Sequence, residues 1–298
     1  MKVLIYGYKG WIGQQIIKIL KQSNHQIILG RERVNHKYKV EQEIIIAKPT
    51  NILCLIGRTY GKINNKLYPT IDYLEQKGKI KENIRDNLFS PLVLAILCQK
   101  YNIHLTYIGT GCIFKYDDKH PFEKEEKGFT ENDTPNFFGS SYSVVKGYTD
   151  ELMHLFDNVL NIRIRMPLSD NLSSRNFIYK ITQYEKICSI SNSMTVLPEL
   201  LPIMIDMVQK NITGTFNMVN PGLISHNRVL ELYQEIVDPT FTWQNFSKEE
   251  QDTILDADRS NNYLDTTKLT NLYPNINRIE TAVINVLKNI KLNNDNLC

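Results

Sequence analysis

In the stretch Tyr142-Ser-Val-Val-Lys146 a phenol and an ammonium stand four residues apart, so on a helix they share one face. That pairing suits proton transfer. A nearby cation favours the phenolate and brings a group of pKa about 10 nearer neutrality, so Tyr142 is expected to exchange a proton with a carbonyl oxygen. The same spacing recurs on ordinary surface helices, so position has to decide. Upstream, the apolar run 105–108 stops at Gly109-Thr110-Gly-Cys112. Thr110 thus falls at the C-terminal edge of a strand, where parallel sheets hold their active groups, and its hydroxyl is placed to hold the same carbonyl. Cys112, two residues on, lies on the same side of an extended segment as Thr110.

The other chemical signal is at the N-terminus. Gly7, Gly10 and Gly13 sit in GYKGWIG, between the apolar run 2–6 and an amphipathic stretch over 11–21. A strand, a glycine turn and a helix in that order let backbone approach a pyrophosphate held at the helix N-terminus, which predicts a dinucleotide site. Where NAD binding usually places an acid, at the end of the second strand, this chain has Arg31 and Arg33. A guanidinium fork matches a 2′-phosphate, so NADPH (NADP+) is favoured. Glu32 between them keeps NADH as the alternative, and an exposed basic turn is the ordinary reading of the pair.

These groups need a scaffold that brings strand ends together. Apolar runs at 2–6, 26–29, 51–56, 105–108 and 160–165 alternate with helical periodicity at 11–21, 81–100 and 142–156. Strands apolar on both faces and separated by helices predict an α/β fold, a doubly wound parallel sheet. Residues 1–166 are read as a Rossmann domain binding NADP, and 167–298 as a smaller substrate lobe with one or more segments returning to the sheet. In that lobe a strand is expected at 215–219 and helices at 227–237 and 279–290. The polar run 117–136 reads as a mobile loop and 293–296 as a frayed tail.

Bulk properties narrow the function classes. The 298 residues carry a net charge of +3 with both signs interleaved, unlike the basic footprint of a nucleic-acid binder. The five cysteines (Cys54, Cys98, Cys112, Cys188 and Cys298) are odd in number and lack CxxC or Cys/His spacing, so neither a disulfide framework nor a metal site is expected. Neither a signal peptide nor a membrane span is expected either. A cytoplasmic protein fits these features.

Together the motifs resemble the extended short-chain dehydrogenase/reductase family, with Thr110, Tyr142 and Lys146 at its Ser/Thr-Tyr-Lys positions and Asn87, in IRDNLFSP, at its helical asparagine. The stretches GYKGWIG, GTGCIF, DTPNFFGSSYSVVK, RIRMPLS, SRNFIYKITQYEK, SNSMTVLPELLP, FTWQNFSKEEQ and RSNNYLDTTKL further resemble the UDP-4-keto-6-deoxyglucose 3,5-epimerase/4-reductases, the C-terminal half of plant rhamnose synthase. That resemblance covers nearly the whole chain and weakens between residues 62 and 81, where this chain is longer.

The resemblance implies a bifunctional enzyme making UDP-L-rhamnose with NADPH, from a 4-keto sugar supplied by a separate 4,6-dehydratase. Epimerisation requires an acid and a base beside carbons flanking a ketone, and the resemblance implies Cys112 and Lys180 for these roles. It also implies a cofactor site drawn from Gly7, Tyr8, Gly10, Trp11, Ile12, Gly13, Arg31, Gly57, Arg58, Tyr142 and Lys146, and a substrate site with Asn87, Asn176 and Arg259. Plainer readings stand beside these: Cys112 as a core residue, Lys180 as a solvated one, Asn176 as a helix cap, and Arg259 in an ion pair with Asp256 or Asp258. A homodimer is expected by resemblance. The rival functions are a 4-reductase alone, of the dTDP-4-dehydrorhamnose reductase type, and a non-catalytic NADP-binding regulatory subunit. The bases of UDP and dTDP carriers, uracil and thymine, differ by one methyl, worth about 1 kcal/mol in a pocket.

Overall fold

Alternation along the first strand already defines two layers. Val3 and Ile5 pack to one side, while Leu4 and Tyr6 pack to the other, all of them buried. The computed structural model describes every residue except 123, 126, 172 and 296–298, so Cys298 and the end of the expected frayed tail lie outside the described residues. Its strands are β1 (Lys2–Tyr6), β2 (Gln26–Leu29), β3 (Asn51–Cys54), β4 (Gly61–Ile63), β5 (Lys66–Tyr68), β6 (His104–Thr110), β7 (Val159–Ile164), β8 (Lys186–Ile187), β9 (Gly214–Asn217) and β10 (Gln244–Asn245). Six of them form one parallel sheet in the order β2-β1-β3-β6-β7-β9. The order reverses between β1 and β3, and in such sheets the crevice at that switch point is where ligands bind.

The helices are α1 (Trp11–Leu20), α2 (Lys37–Ala47), α3 (Asp72–Glu75), α4 (Ile80–Ile84), α5 (Ser90–Lys100), α6 (Ser141–Met153), α7 (Phe177–Ile181), α8 (Leu197–Gln209), α9 (His226–Ile236), α10 (Lys248–Ile254), α11 (Thr267–Leu272) and α12 (Ile279–Asp295). One face of the sheet is covered by α1, α8 and α11, the other by α2, α5 and α6. A third apolar cluster joins α7, α9 and α12 beyond the sheet. The strand at β9 rejoins the sheet from within the second half of the chain, pairing with β7.

Three departures from the sequence reading bear on the site. The helix expected over 81–100 is interrupted by a π-turn at Arg85–Phe89. Pro91 has no N–H to give the Asn87 carbonyl, so the helical ladder opens and the Thr149 hydroxyl donates to that carbonyl instead, at 2.8 Å. The segment where the resemblance weakens folds into the hairpin β4–β5 followed by α3. Asn64 and Asn65 make its turn with φ of 45° and 64°, the left-handed pair that a tight hairpin needs. Finally, the polar run 117–136 is anchored where it is described: Phe129 is buried against Phe114, and the buried Glu131 accepts the Asn217 N–H at 3.0 Å.

Candidate active site

The glycine turn is built for close approach. Gly7 has φ of +81°, and a Cβ there would stand 2.6 Å from the Leu55 backbone; a Cβ on Gly13 would meet the Tyr8 Cα at 2.7 Å. Larger residues would push β1, β3 and α1 apart and close the crevice. Above the turn lies a cavity of about 760 Å³ that runs from Gly7, Gly10, Trp11, Ile12 and Gly13, past Gly57 and Arg58, to Thr110, Cys112, Tyr142, Lys146, Lys180 and Arg259. Segments from both halves of the chain thus converge on one space. The lining fits a dinucleotide phosphate: Lys9, Arg33, Arg58, Arg85, Lys146, Arg165, Arg175, Lys180 and Arg259 are cationic, against the acidic Glu32 and Asp86.

Tyr142 and Lys146 share the inner face of α6, which starts where Ser140 accepts the Ser143 N–H at 3.0 Å. Burial pushes the Tyr142 phenol up, the nearby Cys112 adds to this, and a hydrogen bond with Thr110 and the charge of Arg175 pull the other way. Lys146 is held by the Tyr107 hydroxyl and donates to the Ile108 carbonyl at 3.3 Å, while burial pushes it down to about 8. The expectation that Lys146 lowers the Tyr142 phenol therefore meets a different arrangement, in which Arg175 is the cation acting on Tyr142. Arg175 lies 3.8 Å above the Tyr60 ring and donates to the Thr59 hydroxyl at 2.6 Å.

Thr110 ends β6, and its hydroxyl accepts the Cys112 N–H at 3.1 Å. The turn this makes holds the Cys112 sulfur toward the cavity, 3.4 Å from an N–H of Arg165. Lys180, in the last turn of α7, is pushed down to about 8 by burial and then by Arg175 and Arg259. Arg259 pairs with Asp72 of α3 at 2.6 Å, rather than with Asp256 or Asp258.

Asn87 also lines the cavity, whereas Tyr8, Arg31 and Asn176 do not. Asn87 is fully buried at the π-turn; it accepts the Arg58 N–H at 2.8 Å and donates to the Arg58 carbonyl at 2.9 Å, so it holds the strand end that lines the cavity. Asn176 caps α7 and also binds the Ser169 backbone, outside the cavity lining. Tyr8 packs into the apolar layer of α1 and α8. Arg31 is exposed and its backbone N–H donates to Glu43 at 2.7 Å, while Arg33 and Glu32 face the cavity. Tyr107, Arg165, Arg175 and Asp72 were not singled out. In the sequence Arg165 shows as a charged residue at the end of an apolar run, two positions after Arg163, within the stretch RIRMPLS.

A dinucleotide crevice with Thr, Tyr and Lys at its mouth defines a short-chain dehydrogenase/reductase of the extended type. No family model matches the chain. It is 55% identical over 292 residues to an uncharacterized protein of Acanthamoeba polyphaga mimivirus, covering 98% of this chain and 99% of that one. The crystal structure of the UDP-rhamnose synthase of that virus superposes with a TM-score of 0.92 at 54% identity, over 97% of this chain and 99% of that one. In Arabidopsis thaliana, the bifunctional dTDP-4-dehydrorhamnose 3,5-epimerase/dTDP-4-dehydrorhamnose reductase is 43% identical over 94% of this chain and 90% of its own length. A trifunctional Arabidopsis enzyme, a UDP-glucose 4,6-dehydratase/UDP-4-keto-6-deoxy-D-glucose 3,5-epimerase/UDP-4-keto-L-rhamnose-reductase, is 42% identical, and this chain spans 41% of its length. The chain belongs to the family of nucleotide-sugar 3,5-epimerase/4-reductases.

Proposed function

We propose that the chain converts UDP-4-keto-6-deoxyglucose to UDP-L-rhamnose, inverting C3 and C5 and reducing C4 with NADPH. The observation that carries this reading is the convergence of Thr110, Cys112, Tyr142, Lys146 and Lys180 on the cavity that the glycine turn opens into. When bound there, the cofactor supplies the hydride for C4. Gly7, Gly10 and Gly13 would hold its pyrophosphate and Arg33 its 2′-phosphate, while Lys146 would orient its nicotinamide ribose.

Thr110 and Tyr142 hold the C4 carbonyl oxygen of the sugar. Cys112 and Lys180 move the protons at C3 and C5, whose C–H bonds are acidified by the adjoining ketone. The oxygen charge that develops on enolisation is the same that develops on reduction, so one pair of hydroxyl donors serves both steps. Tyr142 then protonates the C4 oxygen. Arg175 and Arg259 are the groups for the diphosphate of the sugar nucleotide. In this reading residues 1–166 bind cofactor and 167–298 carry the nucleotide sugar, and the 4-keto sugar comes from a separate 4,6-dehydratase. NADPH oxidation with UDP-4-keto-6-deoxyglucose, followed by product identification, tests the assignment; formation of a 4-reduced product without inversion at C3 and C5 overturns it.

The assembly we propose is a homodimer. Ile84, Phe89, Ile96 and Tyr148 are exposed apolar residues on α4, the π-turn, α5 and α6, elements that pack against one another. Light scattering giving a monomer mass rejects it. Among the described residues no helix is long and apolar enough to cross a membrane. A cytoplasmic setting belongs to the same proposal, because free thiols such as Cys54, Cys98 and Cys188 stay reduced there.

A further inference from the structure

Two arginines flank the last residue of β7, Arg163 within the strand and Arg165 just past it, both fully buried, and they are satisfied in opposite ways. Arg163 meets a carboxylate: Asp150 receives its Nη2 at 2.6 Å and its Nε at 3.0 Å. Arg165, 1% exposed, meets none among the described residues. Its partners are the Ser260 hydroxyl at 3.0 Å, the Ser260 carbonyl, the Asn192 amide oxygen and the Cys112 sulfur at 3.4 Å, and its Nε has no partner. Ser260 and Asn192 are themselves anchored, to the Phe114 carbonyl at 2.6 Å and to Asn261 at 2.9 Å.

A guanidinium stays protonated in proteins, and burying one without an anion is strongly unfavourable. A fold that bears this cost in a cavity wall has a use for the charge there. Of the four partners only the Cys112 sulfur is an ionisable group, and Cys112 is also the one of these residues that lines the cavity. The other ionisable groups packed near that sulfur are Tyr142 and Lys146 on α6, Tyr68 on β5 and Tyr73 on α3, with Tyr116 acting on Arg165 itself. None of these is a carboxylate.

We propose that Arg165 is a positioning residue for Cys112, holding its sulfur as the proton acceptor in epimerisation and leaving Lys180 as the proton donor. The proposal rests on the epimerase/reductase reading above. In the step, the thiolate takes the proton of the C–H next to the ketone and becomes a thiol. The C–H electron pair becomes the enolate double bond, and the carbonyl pair moves onto the oxygen held by Thr110 and Tyr142. The Lys180 ammonium then gives a proton to the opposite face of the same carbon, the carbonyl reforms, and nothing is oxidised or reduced. Thiol and amine return to their starting states by exchange with water.

The test compares two reactions: wash-in of solvent deuterium at C3 and C5 of the keto sugar on the NADP+-loaded protein, and reduction of a pre-epimerised 4-keto-rhamnose nucleotide on the NADPH-loaded protein. Arg165→Met should lower the ratio of exchange to reduction by about 100-fold, the scale of a lost general base. Alkylation of Cys112 by iodoacetamide at neutral pH, read by peptide mass mapping, should slow about tenfold in the same variant. Arg165→Lys keeps the charge without the fork and should restore about a tenth of the exchange. If Arg165→Met does not fold, the Lys variant carries the test alone, and a wild-type ratio in it overturns the proposal. A folded Arg165→Met with the wild-type ratio also overturns it, as does an equal loss of both reactions. Wild type that takes up no solvent deuterium sinks the epimerase reading itself, a separately visible failure.

Discussion

Asp72 and Arg259, 187 residues apart, hold each other in a two-point ion pair, with Asp72 oxygens 2.6 and 3.3 Å from the two terminal guanidinium nitrogens. Asp72 belongs to the segment where likeness to the family weakens, and Arg259 lines the cavity. The hairpin β4–β5 and α3 are thereby tied to the substrate lobe. Ile71 and Tyr68 from the same segment pack beside Cys112 and Tyr142, so this insertion forms one wall of the site.

If Arg259 grips the diphosphate, Arg259→Ala should raise KM for the nucleotide sugar at least about tenfold, or 1.4 kcal/mol, with kcat changed far less. Asp72→Asn frees the guanidinium and should lower KM. Stability should change by no more than about 1 kcal/mol in either variant, because the pair is partly exposed. Steady-state kinetics and urea melts check both; an unchanged KM in Arg259→Ala removes that residue from the substrate site.

Tyr142→Phe keeps the ring and removes the proton. Reduction should fall by about 10²–10⁴, followed through NADPH absorbance. An undiminished rate would remove Tyr142 as the proton donor.

The pH dependence separates the two lysines. Burial, with Arg175 and Arg259 nearby, brings Lys180 down to about 8. Below that value it carries a proton to give and above it does not, so exchange at C3 and C5 should decline as pH rises through about 8. Lys180→Met should remove this limb together with most of the exchange. Lys146, also near 8 through burial, should leave a limb in the reduction of pre-epimerised substrate that persists in Lys180→Met. Exchange rates that stay flat through this range, or a limb that survives in the variant, exclude Lys180 as donor.

Asp150 locks α6 onto β7, and so fixes Tyr142 and Lys146 relative to Arg165. Burial alone would raise its carboxyl, but hydrogen bonds and charge from His154, Arg163 and Asn161 outweigh it and hold the group at about 2. Its unfolded value is about 3.9, so this contribution is present in full above about pH 5 and is lost as pH falls through about 2; it amounts to about 2–3 kcal/mol. Asp150→Asn strands the Arg163 charge and should cost about 3–5 kcal/mol. Urea midpoints at neutral pH and near pH 3 test this, and a variant as stable as wild type at neutral pH refutes it.

Much of this site could be read from sequence because its parts obey local rules. Strand ends at Gly7 and Thr110, and the Tyr142/Lys146 spacing, follow from apolar runs and helical periodicity alone. The first residues to escape were those whose partners are distant in the chain. Asp72 finds Arg259, Arg175 finds Tyr142, and Arg165 finds Cys112 only after folding, and periodicity carries no trace of such pairs. Likewise α8 is hidden in the sequence by its two prolines: Pro198 stands in the first turn, where a helix tolerates it, but Pro202 lies inside the helix, where proline ordinarily signals a break. The break in the 81–100 helix turns on a single residue, Pro91, whose effect depends on Thr149 lying within reach.

The most direct test of the account is to run the complete reaction in deuterium oxide with UDP-4-keto-6-deoxyglucose and unlabelled NADPH, and to locate the label in the product by NMR. The account predicts UDP-L-rhamnose with carbon-bound deuterium at C3 and C5 and protium at C4. A product reduced at C4 with no solvent deuterium at C3 or C5 would contradict it.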